Sequence, residues 1–201
     1  MRKGLVIATL IAIGFYGCGG GIKYIDPASK DYISASLDLN DIKNAAKQSL
    51  DSLYKSAYFN QIDLSKPSIL VVSDFINDTT IKLDMEQITA RIVEELQESG
   101  KFLITRAVSG SGGSIDAMID QTRQARNDEE YRQNSVIKKG EKIAANASLS
   151  GKVGQRIIRV GNEQRIDYFF KIEIADIKTG LLAWSKTIDI SKISSGNYSV
   201  W

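Results

Sequence analysis

The sequence predicts an α/β fold: a mixed sheet of four or five strands, flanked by helices and closed by a C-terminal β-meander. Three observations carry this. Met85, Ile88, Ile92 and Leu96 form one apolar stripe at three- and four-residue steps, the spacing of a helix packed on one side. From Arg165 to Ile174 apolar and polar residues alternate, broken only by Phe169 on the polar phase, as in a strand with one buried face. The elements run strand, helix, strand, helix and then three strands, which is the order of a layered α/β body.

The first element is a helix at about 40–60. Ile42, Ala45, Ala46, Leu50, Leu53 and Ala57 recur at helical spacing, with Asn40 or Asp41 placed to cap the start. Pro67 breaks the chain. The segment Ser68 to Asp78 follows, and its β-branched core, Ile69 to Val72, reads as a buried strand. Asp84 caps the next helix and Gly100 stops it. "KFLITRA" is a short second strand, and "VSGSGGS" reads as a flexible loop. Residues 115–139 read as a polar helical stretch with few core positions: Ile115, Met118, Ile119, Val136 and Ile137.

The last third reads as three strands, joined at Gly161-Asn162 and at Lys178-Thr179-Gly180. In the middle strand Ile166, Tyr168, Phe170, Ile172 and Ile174 share one face. Arg165, Asp167, Phe169, Lys171 and Glu173 share the other. Trp184 falls on the inward phase of the last strand with Leu182, Ile188 and Ile190.

The start of the chain has another character. Arg2 and Lys3 precede an apolar run from Gly4 to Tyr16, and small residues follow. That is the layout of a secretory signal at 1–17. The run falls short of the ~20 residues that cross a bilayer. Cys18, the single cysteine, stands at the expected cleavage position and has no disulfide partner. "IGFYGC" resembles the lipobox of bacterial lipoproteins, which implies that Cys18 is lipidated and becomes the first mature residue. Residues 18–38, rich in Gly, Ser and Asp, read as a tether whose coil spans roughly 25 Å. Residues 39–201 read as a single globular domain.

Removal of residues 1–17 takes Arg2 and Lys3 away. The 26 basic residues then fall to 24, level with the 24 acidic ones. A neutral body gives no reason to expect a nucleic-acid partner.

Catalytic chemistry finds little support. The chain has no histidine, which excludes a Ser-His-Asp triad, a Cys-His pair and a His-based zinc site. Lys178-Thr179-Gly180 copies a motif of β-lactamases and penicillin-binding proteins. Ser52-Leu53-Tyr54-Lys55 and Ser195-Gly196-Asn197 supply their other two motifs. The order is wrong, however, because S-x-N comes last. The triplet joins two predicted strands, and Ser135 to Lys138 repeats S-x-x-K. Gly110 to Gly113 lacks the Lys-Ser/Thr of a phosphate loop. Glu94-Glu95 and Glu129-Glu130 read as solvated helix faces. Asp74, Asp78 and Asp84 lack EF-hand spacing and read as strand-end and capping residues. No catalytic residue, metal or cofactor is expected.

Three stretches carry a resemblance: "ILVVSDFINDTTIKLDMEQITARIVEELQESGKFLITRA", "IAANASLSGKV" and "DYFFKIEIADIKTGLLAWSKTIDISK". Over residues 68–192 the chain resembles the LpoB-type outer-membrane lipoproteins, which activate class A penicillin-binding proteins. The resemblance implies a non-catalytic envelope lipoprotein whose lipid sits in the outer membrane. Its body binds the periplasmic part of the peptidoglycan synthase and takes no small-molecule substrate. Gly19, rather than Asp, follows Cys18, which fits the outer-membrane sorting pattern. Two alternatives stand behind it: a curli-secretion-type pore lipoprotein and a structural envelope lipoprotein. Against the first, this sequence shows no extra pair of long amphipathic strands to line such a pore. The candidate contact residues are Phe169, an aromatic among charges, with Arg165 and Lys171 beside it. The other reading of Phe169 is burial beneath a helix.

Overall fold

In the computed structural model, residues 36–161 and 163–195 are described. They form one five-stranded mixed sheet of order β2-β1-β3-β4-β5. The strands are β1 (Ser68–Asp78), β2 (Phe102–Thr105), β3 (Ala147–Val160), β4 (Glu163–Asp176) and β5 (Leu182–Ser195). β1 lies parallel to β2 and β3; β3, β4 and β5 form the antiparallel meander.

Helices α1 (Leu39–Tyr54) and α3 (Met85–Glu98) cover one face of the sheet. Ile42, Ala45, Leu50 and Leu53 of α1 meet Ile88, Ile92 and Leu96 of α3 in the core. On β4 the five apolar residues from Ile166 to Ile174 are each at most 2% exposed. Burying one such side chain is worth about 1.5–3 kcal/mol, so this face anchors β4 in the core.

The expected helix at 40–60 is broken. α1 ends at Tyr54, and α2 (Ala57–Gln61) begins anew with the Ser56 hydroxyl capping Phe59 N–H at 3.1 Å. The cap of α1 is Asp38, not Asn40 or Asp41. Its carboxylate accepts from the N–H groups of Asn40 and Asp41, while the Asp41 carboxylate accepts from Asp38 N–H, completing a capping box. Asp84 caps α3 as expected, and Gly100 follows its end at φ +70°.

The helical reading of 115–139 is corrected. Only α4 (Met118–Gln124) and one 3-10 turn at Ala125–Asn127 form. No residue of α4 is buried, and Ala117 at its start provides no side-chain cap. A short helix without a buried face has little to hold it. Leu182 is corrected too. A bulge between Ile174 and Ala175 sets Leu182 opposite Ala175 and leaves it exposed, whereas Trp184 is buried.

The glycine-rich loop is pinned rather than free. Gly110 and Gly112 donate to the carbonyls of Val72 and Ser73 at 2.8 and 3.0 Å, and Ser111 N–H donates to the Asp74 carboxylate at 2.8 Å. All three acceptors lie at a bulge between Val72 and Phe75, which turns Phe75 inward. A Cβ on Gly112 or on Gly151 would stand 2.5 Å from the Phe75 ring, so the ring requires a glycine on either side.

Candidate functional site

Among the described residues, no long helix lies over β3, β4 and β5 on the opposite face of the sheet. Among the described elements, the helix packed on β4 is α1, which lies on the apolar side. The open face carries rows of paired residues: Lys152 with Lys171 and Thr187, Gly154 with Phe169 and Asp189, Arg156 with Asp167 and Ser191.

Phe169 sits half-buried in the middle of this face. Its cross-strand partner is Gly154, and a Cβ there would lie 3.9 Å from the ring. The ring thus shields backbone that a side chain would otherwise cover. The Arg156 guanidinium stands 5.8 Å from the ring centroid, within cation–π range. No described helix covers it.

Next to Phe169 lies a feature that alternation alone hides. Asp167 falls on the polar phase yet is only 3% exposed. Its carboxylate accepts from the Ser191 hydroxyl at 2.7 Å, Arg156 at 2.9 Å and Arg165 at 2.7 Å. The Ser191 hydrogen bond, followed by those of Arg156 and Arg165, holds this carboxyl well below the usual carboxylate range. Two exposed guanidinium groups are therefore fixed around one carboxylate, and their outward edges remain in water. The one sequence signal for this cluster was the coincidence of Asp167 and Arg165 on one strand face. Arg156 and Ser191 join it only through the β3–β4–β5 register. Lys171 pairs with Glu173 at 2.6 Å, and Lys152 with Asp78 at 2.5 Å.

The covered face holds the reverse arrangement at a neighbouring position. Lys192, opposite Ile166, donates to Asp38 at 3.1 Å, to Ser36 O at 2.9 Å and to Asp41. Partial burial lowers the Lys192 value. Hydrogen bonds and charge from Asp41 and Asp38 outweigh it, so the group titrates above an ordinary lysine. Leu37 is buried alongside. Ser36, the first described residue, thus joins the body on the helix side.

The K-T-G triplet is a turn. Gly180 has φ +71° and donates to Asp176 O at 2.8 Å, and Asp176 N–H returns a bond to Leu181 O at 2.9 Å. The Asp176 carboxylate accepts from both Thr179 N–H and its hydroxyl, at 2.7 and 2.9 Å. Ser52 lies on α1 near Lys186 and Ile188. Lys186 is six residues along an extended strand from Gly180, or roughly 20 Å, so serine and triplet do not meet. Ser135 is spent on Arg132 O at 2.7 Å. Asp74, Asp78 and Asp84 bind Ser111, Lys152 and Gln87 respectively and form no joint site. The N–H groups of Gly110, Ser111, Gly112 and Gly113 all donate within the chain, so the loop offers no cradle for phosphate. Cys18, the segments 1–17 and 18–35, Gly196-Asn197 and Trp201 lie outside the described residues.

Residues 41–190 match the family described as peptidoglycan-synthase activator LpoB. No curated protein sequence gives a significant match. Among solved structures, the LpoB C-terminal domain from Salmonella enterica is 15% identical with a TM-score of 0.42, covering 75% of this chain and 98% of that one. The Escherichia coli LpoB C-terminal domain is 16% identical with a TM-score of 0.41, covering 76% and 99%. Lipoprotein GNA1162 from Neisseria meningitidis is 15% identical with a TM-score of 0.34, covering 67% and 88%. The family match spans well over half of the sequence, and the chain belongs to the LpoB family of non-catalytic, periplasm-facing outer-membrane lipoproteins that activate a class A penicillin-binding protein.

Proposed function

We propose that the synthase docks on the open face of the sheet, around Phe169, with Arg156, Arg165 and Lys171 as its polar surround. The observation that carries this is Phe169 itself: an aromatic ring half-exposed on a sheet face that no described helix covers. Aromatic and arginine side chains dominate interface energetics where a rim keeps water out. The Asp167 bridge adds preorganisation. Arginines already fixed in place lose less freedom on binding than free ones. An activator must favour the active conformation of its target, so contacts with these fixed groups have to be better in that state.

The lipid and the tether complete the reading. Residues 1–17 act as the export signal, Cys18 carries the lipid, and the expected tether of 18–38 is shortened at its end, because Ser36, Leu37 and Asp38 belong to the body. Fully extended, such a tether reaches at most ~70 Å. It raises the local concentration of the body near its target and fixes its location. Cys18→Ala should leave the protein in the soluble periplasmic fraction without acyl label. Membrane retention of that variant, with no acyl label on the wild type, overturns the anchor. Phe169→Ala should weaken binding to a class A penicillin-binding protein from the same organism by ~30-fold, about 2 kcal/mol. Unchanged affinity in that titration overturns the docking face.

A further inference from the structure

The two ends of the meander differ. α1 starts from its cap Asp38, level with Lys192 and, across the ladder, with Ile166. Beyond that level β3, β4 and β5 run on through 158–160, 163–165 and 193–195, an overhang of ~10 Å. Its open side carries one row across the three strands: Ile158, Arg165 and Ile193. Ile158 is 37% exposed and Ile193 69%. Arg159 is exposed on the other side. From 156 to 165 Glu163 stands against Arg156, Arg159 and Arg165. Even with the buried Asp167 counted, this hairpin keeps a positive excess in a body whose charges balance.

Two features identify the occupant as a lipid surface. The first is where the chain enters. Ser36 O accepts from Lys192 at 2.9 Å, and Lys192 is the chain neighbour of Ile193. The segment that leads from Cys18 therefore joins the body at this end, and as a coil it averages roughly 25 Å. In an outer-membrane lipoprotein, this is the end held at the membrane. The second is depth and composition. Segments that lie in a membrane interface bury ~5–10 Å, with apolar side chains toward the acyl boundary and basic ones toward anionic headgroups. The overhang matches in length and in residue type. The other end of the meander also exposes Ile177, Leu181 and Leu182. It lies ~40 Å away along the strands, far from the entry of the chain.

We propose that the Gly161 end of the meander rests in the headgroup layer of the membrane that holds the lipid. Ile158 and Ile193 enter the acyl boundary, and Arg159 and Arg165 meet anionic headgroups. The inference rests on the lipid anchor at Cys18, not on the docking face around Phe169. It sets the body upright, with the Lys178-Thr179-Gly180 turn pointing away from the membrane.

The test uses the full-length, lipid-anchored protein in vesicles of phosphatidylethanolamine and phosphatidylglycerol. Gln164→Cys and Lys178→Cys place a thiol at either end of the meander for a polarity-sensitive fluorophore. A lipidated Cys18 has no free thiol. If the parent chain takes the label and does not float with vesicles, the anchor has failed and this inference falls with it. With the anchor intact, aqueous iodide should quench the label at 164 roughly threefold less than the label at 178. Ile193→Glu and Arg159→Glu should each raise quenching at 164 toward the level at 178, with thermal melts like the wild type. The two variants lie on different strands, so one still reads out if the other misfolds. Equal quenching at both ends, or protection at 164 that neither variant reduces, overturns the proposal while the anchor stands. Protection that disappears when the protein is diluted within the same vesicles comes from a second copy and also overturns it. Phosphatidylcholine vesicles should raise quenching at 164; undiminished protection there removes the assignment of the arginines to anionic headgroups.

Discussion

β4 has two sides with opposite physical duties. On one, Ile166, Tyr168, Phe170, Ile172 and Ile174 are sealed in the core beneath α1. On the other, Arg165, Phe169 and Lys171 face outward with no described helix above them. The ionic clusters mirror this division at adjacent positions. On the covered side one cation, Lys192, is held by Asp38 and Asp41. On the open side one anion, Asp167, is held by Arg156 and Arg165. The first ties the entry of the chain to the body. The second leaves two guanidinium groups exposed. Charge pairing therefore ties the chain down on one face and fixes exposed cations on the other.

The largest difference should appear when the same residue type is removed from each side. Phe170→Ala leaves a cavity in a packed core and should cost ~3–5 kcal/mol of stability. Phe169→Ala, one residue earlier, should cost only ~1 kcal/mol of stability, from its cross-strand cover of Gly154. Its loss should fall instead on synthase binding. A denaturant titration beside a binding titration separates the two. A loss of 3 kcal/mol or more for Phe169→Ala would make the two faces equivalent and end the comparison.

How legible this was in the sequence depends on the range of the forces involved. Alternation through β4 marked its buried face because burial acts on each residue separately. The stripe from Met85 to Leu96 and the Asp84 cap were local and equally readable. The Asp38 cap and the break at Ser56 are also local, but several adjacent polar residues compete for each role. Asp167 was not legible as a buried group, since its cover comes from β3 and β5 side chains 11 and 24 positions away. The glycine loop read as flexible because its acceptors lie on the β1 bulge, 37 or more residues earlier. The excursion after β2 misled because polar composition suits a helix, whereas forming one needs a face to bury. Whether a helix covered Phe169 was a question of topology, which no local pattern answers.

A smaller effect should come from the entry clamp, and it depends on pH. Burial raises the Asp38 value; hydrogen bonds from Asp41 and Asn40 N–H and from Lys192 bring it below the ordinary carboxylate value. A depressed acid stabilises the fold above its unfolded value near ~3.9 and loses that contribution as pH falls through the folded value. Lys192 is raised, so its contribution is present below ~10.4 and lost as pH rises through its folded value. The clamp should therefore hold across the neutral range. Asp38→Ala removes an N-cap and should cost ~1 kcal/mol there, or about 2–4 °C in Tm. That deficit should shrink below about pH 4, where the wild type loses the same charge. A deficit constant from pH 7 to 3 would show that capping without charge explains it.

The smallest effect should belong to the residue that looks most catalytic. Lys178 occupies the position of an enzyme's K-T-G lysine, yet here it sits on the exposed turn between β4 and β5. The turn is held by its neighbours: Asp176 accepts from Thr179, and Gly180 supplies the left-handed residue. Lys178→Ala should then change stability by no more than ~0.5 kcal/mol and leave activation of the synthase intact. Gly180→Ala, at φ +71°, should cost ~1 kcal/mol or more through backbone strain alone. A labelled β-lactam should label neither Ser52 nor Ser135. If Lys178→Ala abolished activation while Gly180→Ala spared it, the turn itself would be a contact point, and the partner surface would extend to the tip of the meander. If the glycine proves the more sensitive of the two, the triplet is explained by the geometry of a hairpin.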